Sequence, residues 1–309
     1  MSKVIVVCGP TASGKTSLAI FLAKKLNCEI VSADSMQIYK EMNIGTAKPD
    51  YVERDGVIHH MMDVVSVCDD FNVSLYKQQA SKCIDVALSN GKNVIIVGGT
   101  GLYIDSLINN VDFFEFENDL VYRKKLTELA AEKGGEVLSD MLLSIDPDSA
   151  LRIHKNDIKR LVRALEVYKV TGKTLTELHV LSKQKRKYNP IFIGLNYSDR
   201  QKLYDRINLR VDIMMKDGFF DEAKSLMSMP LSSTARAAIG YSDLFSCING
   251  ELSVETAIEN IKQKSRNYAK RQLTWFNRNA EMQWFYPDLY DSSDALYEKV
   301  LEYVSLKMR

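Results

Sequence analysis

Gly9-Pro10-Thr11-Ala12-Ser13-Gly14-Lys15-Thr16 decides the reading of this chain. The apolar run Val4-Ile5-Val6-Val7-Cys8 precedes it, and a helical pattern over 17–26 follows. Strand, glycine-rich turn and helix in that order make a phosphate-binding loop, and the flanking elements argue against a chance match. Gly9 and Gly14 let the backbone fold tightly around an anion. The unpaired N–H groups of residues 14–17 face it, and the helix dipole adds about 0.3–1 kcal/mol of attraction. Lys15 supplies a full positive charge, Ser13 a further hydrogen bond, and Thr16 a hydroxyl for Mg²⁺, which bridges phosphate oxygens. Pro10, Thr11 and Ala12 complete the cradle. The motif specifies a pyrophosphate or triphosphate without specifying a nucleotide.

Outward from this loop, strands and helices alternate. A short strand over 29–33 ends at Asp34, an amphipathic helix covers 75–89, and a strand over 93–97 ends in Gly98-Gly99-Thr100-Gly101. Such alternation implies a parallel sheet covered by helices. Ligands of such sheets bind at the carboxyl ends of the strands, which brings 9–16, 34–39 and 98–103 to one edge. From 116 to 188 the strand signal disappears and charged helical patterns take over (120–133, 135–145, 157–171). A strand returns over 191–195, and helical patterns resume over 200–217, 220–229 and 253–277. The expected fold is therefore α/β: a P-loop NTPase-like parallel sheet flanked by helices, built from 1–115 and 190–309, with an all-helical insertion over 116–189.

The chain has 309 residues, 46% of them hydrophobic, and a formal net charge of +1, so nothing global draws it to nucleic acid or membrane. Its charge is unevenly placed. Six basic residues and no acid lie between 261 and 279: Lys262, Lys264, Arg266, Lys270, Arg271 and Arg278. A second basic cluster is Lys183, Lys185, Arg186 and Lys187; Asp112, Glu115, Glu117 and Asp119 form an acidic run. Each cluster alone reads as a solvated surface, but together they suggest a basic face for phosphates. Cys8, Cys28, Cys68, Cys83 and Cys247 form no C-x-x-C pair, which argues against zinc and against a disulfide framework. The adjacent His59 and His60 point apart on a strand and make a poor metal pair. With no signal peptide and no membrane-length apolar run, a cytoplasmic protein without a membrane role is expected.

Asp34 at the second strand end has two functional readings, metal ligand or proton acceptor, beside the ordinary one of capping a turn. Gln37 can read a nucleobase edge or stand exposed. The third segment lacks the Asp that often holds metal at that position in phosphate-loop NTPases. It offers backbone N–H groups and the Thr100 hydroxyl instead, which argues against plain ATP hydrolysis.

These segments together resemble the tRNA dimethylallyltransferases, the tRNA adenosine isopentenyltransferase family. The matching strings run nearly the full chain: 9–16, Asp34-Ser35-Met36-Gln37-Ile38-Tyr39, 43–49, 59–63, Gly98-Gly99-Thr100-Gly101-Leu102-Tyr103, 156–167, 206–215, 238–241 and 268–276. The resemblance implies transfer of a dimethylallyl group from dimethylallyl pyrophosphate to the N6 amine of the adenosine 3′ of the anticodon (position 37), in tRNAs reading codons that begin with U. It implies Asp34 as general base, with Lys15, Mg²⁺ on Thr16, the loop N–H groups and Arg210 stabilising the leaving pyrophosphate. Arg206, four residues before Arg210, is the rival for that contact. Thr100 matches a position near the target base. Asp34, Ser35, Met36 and Gln37 line the pocket for a flipped base. Arg123, Lys159, Arg160, Leu161, Val162 and Arg163 match tRNA-contacting positions, and Lys270 and Arg271 join them in a basic run interleaved with Tyr268, Trp275 and Phe276. Trp275 and Phe276 read equally well as core.

Ile158 and Lys159 depart from the family's usual Pro and Gln, and Val67 from its usual Pro. No Cys/His pattern follows Cys247, which favours the bacterial type without a zinc module. A monomer is expected. Three alternatives remain: an adenylate isopentenyltransferase using free nucleotides, a small-molecule ATP kinase, and a nucleotide-gated RNA-binding switch. The helical insertion and the long basic run disfavour the first, because a mononucleotide needs neither.

Overall fold

A computed structural model describes residues 3–111, 113, 116–117, 119–182 and 184–309. Asp112 and Glu115 of the acidic run, and Lys183 of the second basic cluster, lie outside the described residues. The chain divides into two compact units, one of Met1–Ile108 with Arg186–Arg309 and one of Asn109–Lys185.

The first unit holds a six-stranded parallel sheet. Its elements are β1 (Lys3–Cys8), α1 (Lys15–Leu26), β2 (Cys28–Ser32), β3 (His59–His60), α2 (Val73–Ser89), β4 (Asn93–Gly98) and α3 (Gly101–Ile108). The sheet order is β3-β2-β4-β1, followed by the strands the chain forms after the second unit. That unit is all helical: α4 (Leu120–Lys133), α5 (Glu136–Leu143), α6 (Pro147–Arg152), α7 (Ile158–Thr171) and α8 (Leu175–Leu181). The chain then returns through β5 (Asn189–Leu195), which pairs with β1, and continues with α9 (Arg200–Lys216), α10 (Phe219–Met227), α11 (Ser233–Arg236), α12 (Tyr241–Ile248) and α13 (Val254–Phe276). β6 (Gln283–Phe285) pairs with β5 at the sheet edge, and α14 (Ser293–Met308) ends the chain.

β1 is central, and period-two alternation splits its side chains between two apolar layers. Val4, Val6 and Cys8 join the layer with α2, α3 and α10–α13, whereas Ile5 and Val7 join the layer with α1 and α14. Each of these valine and isoleucine side chains, taken fully from water, contributes about 1.5–3 kcal/mol. A strand buried on both faces reads as a continuous apolar run, which is why β1, β4 and β5 stand out in the sequence.

The helical unit closes on Leu126, Leu138, Leu142, Leu161, Val162 and Leu165. Asp119, Asp146, Asp157 and Thr174 cap its helices through side-chain acceptors. Glu166 is fully buried within it and holds Arg123 Nε at 2.6 Å and Arg163 Nη1 at 2.7 Å. Burial works against that charge, but the two arginine hydrogen bonds outweigh it and keep Glu166 below the usual carboxylate range.

Candidate active site

β1 delivers the chain into the phosphate loop, where the backbone leaves little choice of residue. Gly9 takes φ +142°, and a Cβ there would stand 2.1 Å from the Leu195 carbonyl oxygen on β5. No side chain caps α1 at Gly14, so its first-turn N–H groups remain for an anion. Ser13 is buried and its Oγ has no partner among the described residues. An unpaired buried hydroxyl costs about 1–3 kcal/mol, and an anion oxygen would relieve it. Thr16 is half-buried in the same turn. The Thr11 N–H, by contrast, donates to Gln272 Oε1 at 2.8 Å and is not among the donors offered to the anion.

Lys15 Nζ donates to the Pro10 carbonyl at 2.5 Å. Burial, and after it the Arg210 charge, pushes Lys15 down to about 8, against the attraction of Asp34. Among the described residues no carboxylate pairs with this cation, so an anion arriving here would find its charge unneutralised.

Asp34, Ser35, Met36, Arg210, Tyr268 and Arg271 line one cavity of about 210 Å³ beside the loop. Asp34 Oδ1 accepts the N–H groups of Met36 at 2.9 Å and Gln37 at 3.3 Å, while Oδ2 accepts no hydrogen bond among the described residues. Capping thus occupies one oxygen of the carboxylate and leaves the other without a partner among the described residues. The Thr100 hydroxyl accepts the Ser35 N–H at 3.1 Å, and in the same cavity burial, and Asp34 after it, pushes the Tyr268 phenol up to about 12. A Cβ on Gly98 would stand 2.2 Å from the Ala33 carbonyl oxygen, so glycine lets the ends of β2 and β4 meet.

The two candidate arginines separate. Arg210 faces the cavity and donates to the Thr46 carbonyl at 3.3 Å. Arg206 donates to the Ala12 carbonyl at 3.1 Å and lies over the Tyr197 ring, bracing the phosphate loop. Gln37 is neither exposed nor open to a base. It is buried, its Oε1 accepts from Ser32 Oγ at 3.2 Å, and its Nε2 donates to the Thr46 and Ala47 carbonyls.

On α13 the run of positive charge proves uneven. Lys262 pairs with Asp212 at 2.8 Å, and Lys264 pairs with Asp243 at 2.7 Å. Lys270 and Arg271 are exposed, and neither has an acidic partner among the described residues. Trp275 packs against the core with its Nε1 donating to Asp105 at 2.8 Å, and Phe276 is buried; packing is the reading that holds for both. In the helical unit, Lys159 and Arg160 are exposed, whereas Arg123 and Arg163 are engaged with Glu166. Leu161 and Val162, expected to meet RNA, are instead buried in that unit's core, because α7 turns its apolar stripe inward there.

His59 and His60 stay apart in function as well: His59 Nδ1 contacts the Val57 carbonyl, and His60 Nε2 meets Glu29 Oε2 at 2.7 Å. Among the described residues no group of three or more His, Cys, Asp or Glu could hold a metal ion.

Two anchors escaped the sequence reading. Gln272, buried, ties the phosphate loop to the third segment by accepting from Thr11 N–H and donating to the Gly99 carbonyl at 3.0 Å. Glu222 accepts the N–H groups of Asn43, Ile44 and Gly45 at 2.8, 2.8 and 2.9 Å, which fixes the loop carrying Thr46 to the cavity wall. Their only local signal is a polar residue on an otherwise apolar helix face.

Residues 37–279 match the family model described as IPP transferase. A tRNA dimethylallyltransferase of Thermoanaerobacter sp. (strain X514) is 44% identical, over 99% of this chain and 98% of the relative. That of Acetivibrio thermocellus is 46% identical, again over 99% and 98%. Among solved structures, the tRNA isopentenylpyrophosphate transferase of Bacillus halodurans superposes with a TM-score of 0.75 at 38% identity, covering 100% of this chain and 97% of that one. A eukaryotic dimethylallyltransferase acting on tRNA superposes with a TM-score of 0.82 at 30% identity, covering 99% of this chain and 80% of that one. No helix among the described residues is long and apolar enough to cross a membrane.

Proposed function

This chain belongs to the IPP transferase family and carries tRNA dimethylallyltransferase activity; from that premise we propose how its residues divide the reaction. The donor is dimethylallyl pyrophosphate, its diphosphate held by residues 9–16. The acceptor is the N6 amine of the adenosine 3′ of the anticodon, position 37, in tRNAs that read codons beginning with U. That amine is a weak nucleophile, since its lone pair is delocalised into the purine ring. It attacks the allylic carbon as the C–O bond to the diphosphate breaks, and its proton passes to Asp34. The observation that carries this reading is the divided carboxylate: Oδ1 is fixed by two backbone N–H groups and Oδ2 is left open in the same cavity as Arg210.

Charge leaves with the diphosphate. Lys15, Arg210 and the first-turn N–H groups of α1 are already oriented where it grows, so little reorganisation accompanies the step. The orphaned Ser13 hydroxyl and the Thr16 side chain suit a diphosphate with Mg²⁺, which binds through substrate phosphates and few protein ligands. Thr16 would hold the ion, and its chemistry would be neutralisation of the leaving group. Thr100, held by Ser35, orients the adenine edge. Ser35 and Met36 line the base pocket, and Lys159, Arg160, Lys270 and Arg271 contact the tRNA backbone.

Asp34→Asn tests the assignment. Single-turnover transfer should slow at least a hundredfold, the ordinary scale of general-base catalysis, while tRNA affinity changes less than threefold. Equal loss of rate and affinity would make Asp34 a positioning group.

A further inference from the structure

A second cavity of the first unit, larger than the one lined by Asp34, takes no part in the chemistry above. About 450 Å³ in volume, it opens between the end of β5, the first turns of α9 and the last turns of α13. Arg200 and Lys270 both line it, and no carboxylate does. Neither cation has an acidic partner among the described residues, and Lys270 Nζ stands 5.9 Å from the centroid of the Tyr204 ring. Two tyrosines, Tyr197 and Tyr204, give the wall aromatic faces. Two of the four buried side-chain polar atoms that lack a partner among the described residues belong to this lining, Asn196 Oδ1 and Tyr204 OH. A buried polar atom left without a partner is costly, so a ligand that supplies one is favoured here.

Unpaired cations without acids select an anion. Aromatic faces beside them select a flat ring, and an amide oxygen selects a donor such as an exocyclic amine. A nucleotide carries all three features, and tyrosine faces with basic side chains are the usual means of holding an unstacked one. We infer that this cavity is a second nucleotide-binding site, which takes one base and its phosphate from the tRNA beside the nucleotide being modified.

Its placement suits that role. Tyr204 and Arg210 are six residues apart on α9, about 9 Å along the helix axis. Lys270 and Arg271, consecutive on α13, line the second cavity and the catalytic one respectively. Ala12 of the phosphate loop packs against the Leu203–Ile207–Ala269 cluster that lies under the same wall. One helix pair therefore serves both cavities. The inference rests on tRNA being the acceptor.

The test measures binding of a fluorescent, unmodified anticodon stem-loop at fixed salt, with Arg200→Ala, Tyr204→Leu and Tyr204→Phe. Inorganic pyrophosphate affinity, read by calorimetry, reports an intact catalytic core. Arg200→Ala and Tyr204→Leu should each weaken stem-loop binding about tenfold, with pyrophosphate affinity unchanged, and Tyr204→Phe about threefold, because it keeps the ring and loses only the hydroxyl's hydrogen bond. A stem-loop with an abasic target position should show the same dependence, since the second site does not use that base. In a parallel arm AMP is titrated into pyrophosphate-saturated protein. Tyr204-dependent AMP binding without any effect on the stem-loop would refute the tRNA source in favour of a free nucleotide. Wild-type binding by Tyr204→Leu and Arg200→Ala in both arms would overturn the site. Loss of prenyl transfer from dimethylallyl pyrophosphate in the wild-type protein would instead refute the proposed reaction and leave the Tyr204 dependence standing.

Discussion

Pyrophosphate binding should draw a proton onto Lys15, and the size of that uptake follows from the site. In the free protein burial and Arg210 set Lys15 near 8. About three-quarters of the molecules then hold it neutral at pH 8.5, and about a tenth at pH 7. A diphosphate oxygen about 4 Å away attracts the ammonium by about 4 kcal/mol at an intermediate dielectric, which moves its titration up by about three pH units. Binding at pH 8.5 should therefore take up about 0.75 proton through Lys15, and binding at pH 7 about 0.1. Calorimetry in buffers of differing ionisation enthalpy reads the number directly. Lys15→Arg removes the uptake, because a guanidinium stays charged throughout, and subtracting its result cancels the protons that pyrophosphate itself exchanges. Asp34→Asn should move the uptake toward lower pH, because Asp34 attracts the Lys15 charge and its loss lets the lysine deprotonate sooner. Equal proton uptake by wild type and Lys15→Arg at pH 8.5 would refute the reasoning, since Lys15 would then be fully charged before the anion arrives.

Other consequences can be checked independently. Lys270→Ala with Arg271→Ala should weaken tRNA binding and flatten the dependence of log affinity on log salt by about 1.4–1.8, the value for two phosphate contacts; an unchanged slope would remove these side chains from the RNA. His60 is raised to about 9 by the neighbouring Cys83 and then by its hydrogen bond to Glu29, with burial opposing. Its folded value lies above the ordinary 6.5, so its contribution to stability is complete below pH 6.5 and is lost as pH rises through 9. Chemical denaturation should show that decline in the wild type and a flatter profile in His60→Leu; parallel profiles would contradict the ion pair.

What could be read in the sequence was whatever is local. The phosphate loop, the Asp34 strand end and the alternation of strands with helices each depend on fewer than about twenty consecutive residues, and the fold class follows from them. β3 and β6, of two and three residues, are too short to show a period. The inward turn of Leu161 and Val162 was present in the apolar spacing of α7 but hidden by the basic residues around it. Gln37 was legible as a polar residue but not as a buried one, because its partners lie in the loop at 46–47. Gln272 meets Thr11 across 261 positions and Glu222 meets Asn43 across 179. Such pairs leave no periodic trace, so the framework that holds the site became visible only with the fold. The charge run on α13 misled for the same reason: the acids that neutralise Lys262 and Lys264 come from α9 and α12.

The most direct measurement incubates the protein with Mg²⁺, dimethylallyl pyrophosphate labelled in its allyl group, and unmodified tRNA, with AMP and ATP in parallel. Label should enter tRNA at the adenosine 3′ of the anticodon and release one pyrophosphate per transfer. Label in AMP instead, or ATP turnover with no prenyl transfer, would contradict the chemistry assigned to Asp34 and the phosphate loop.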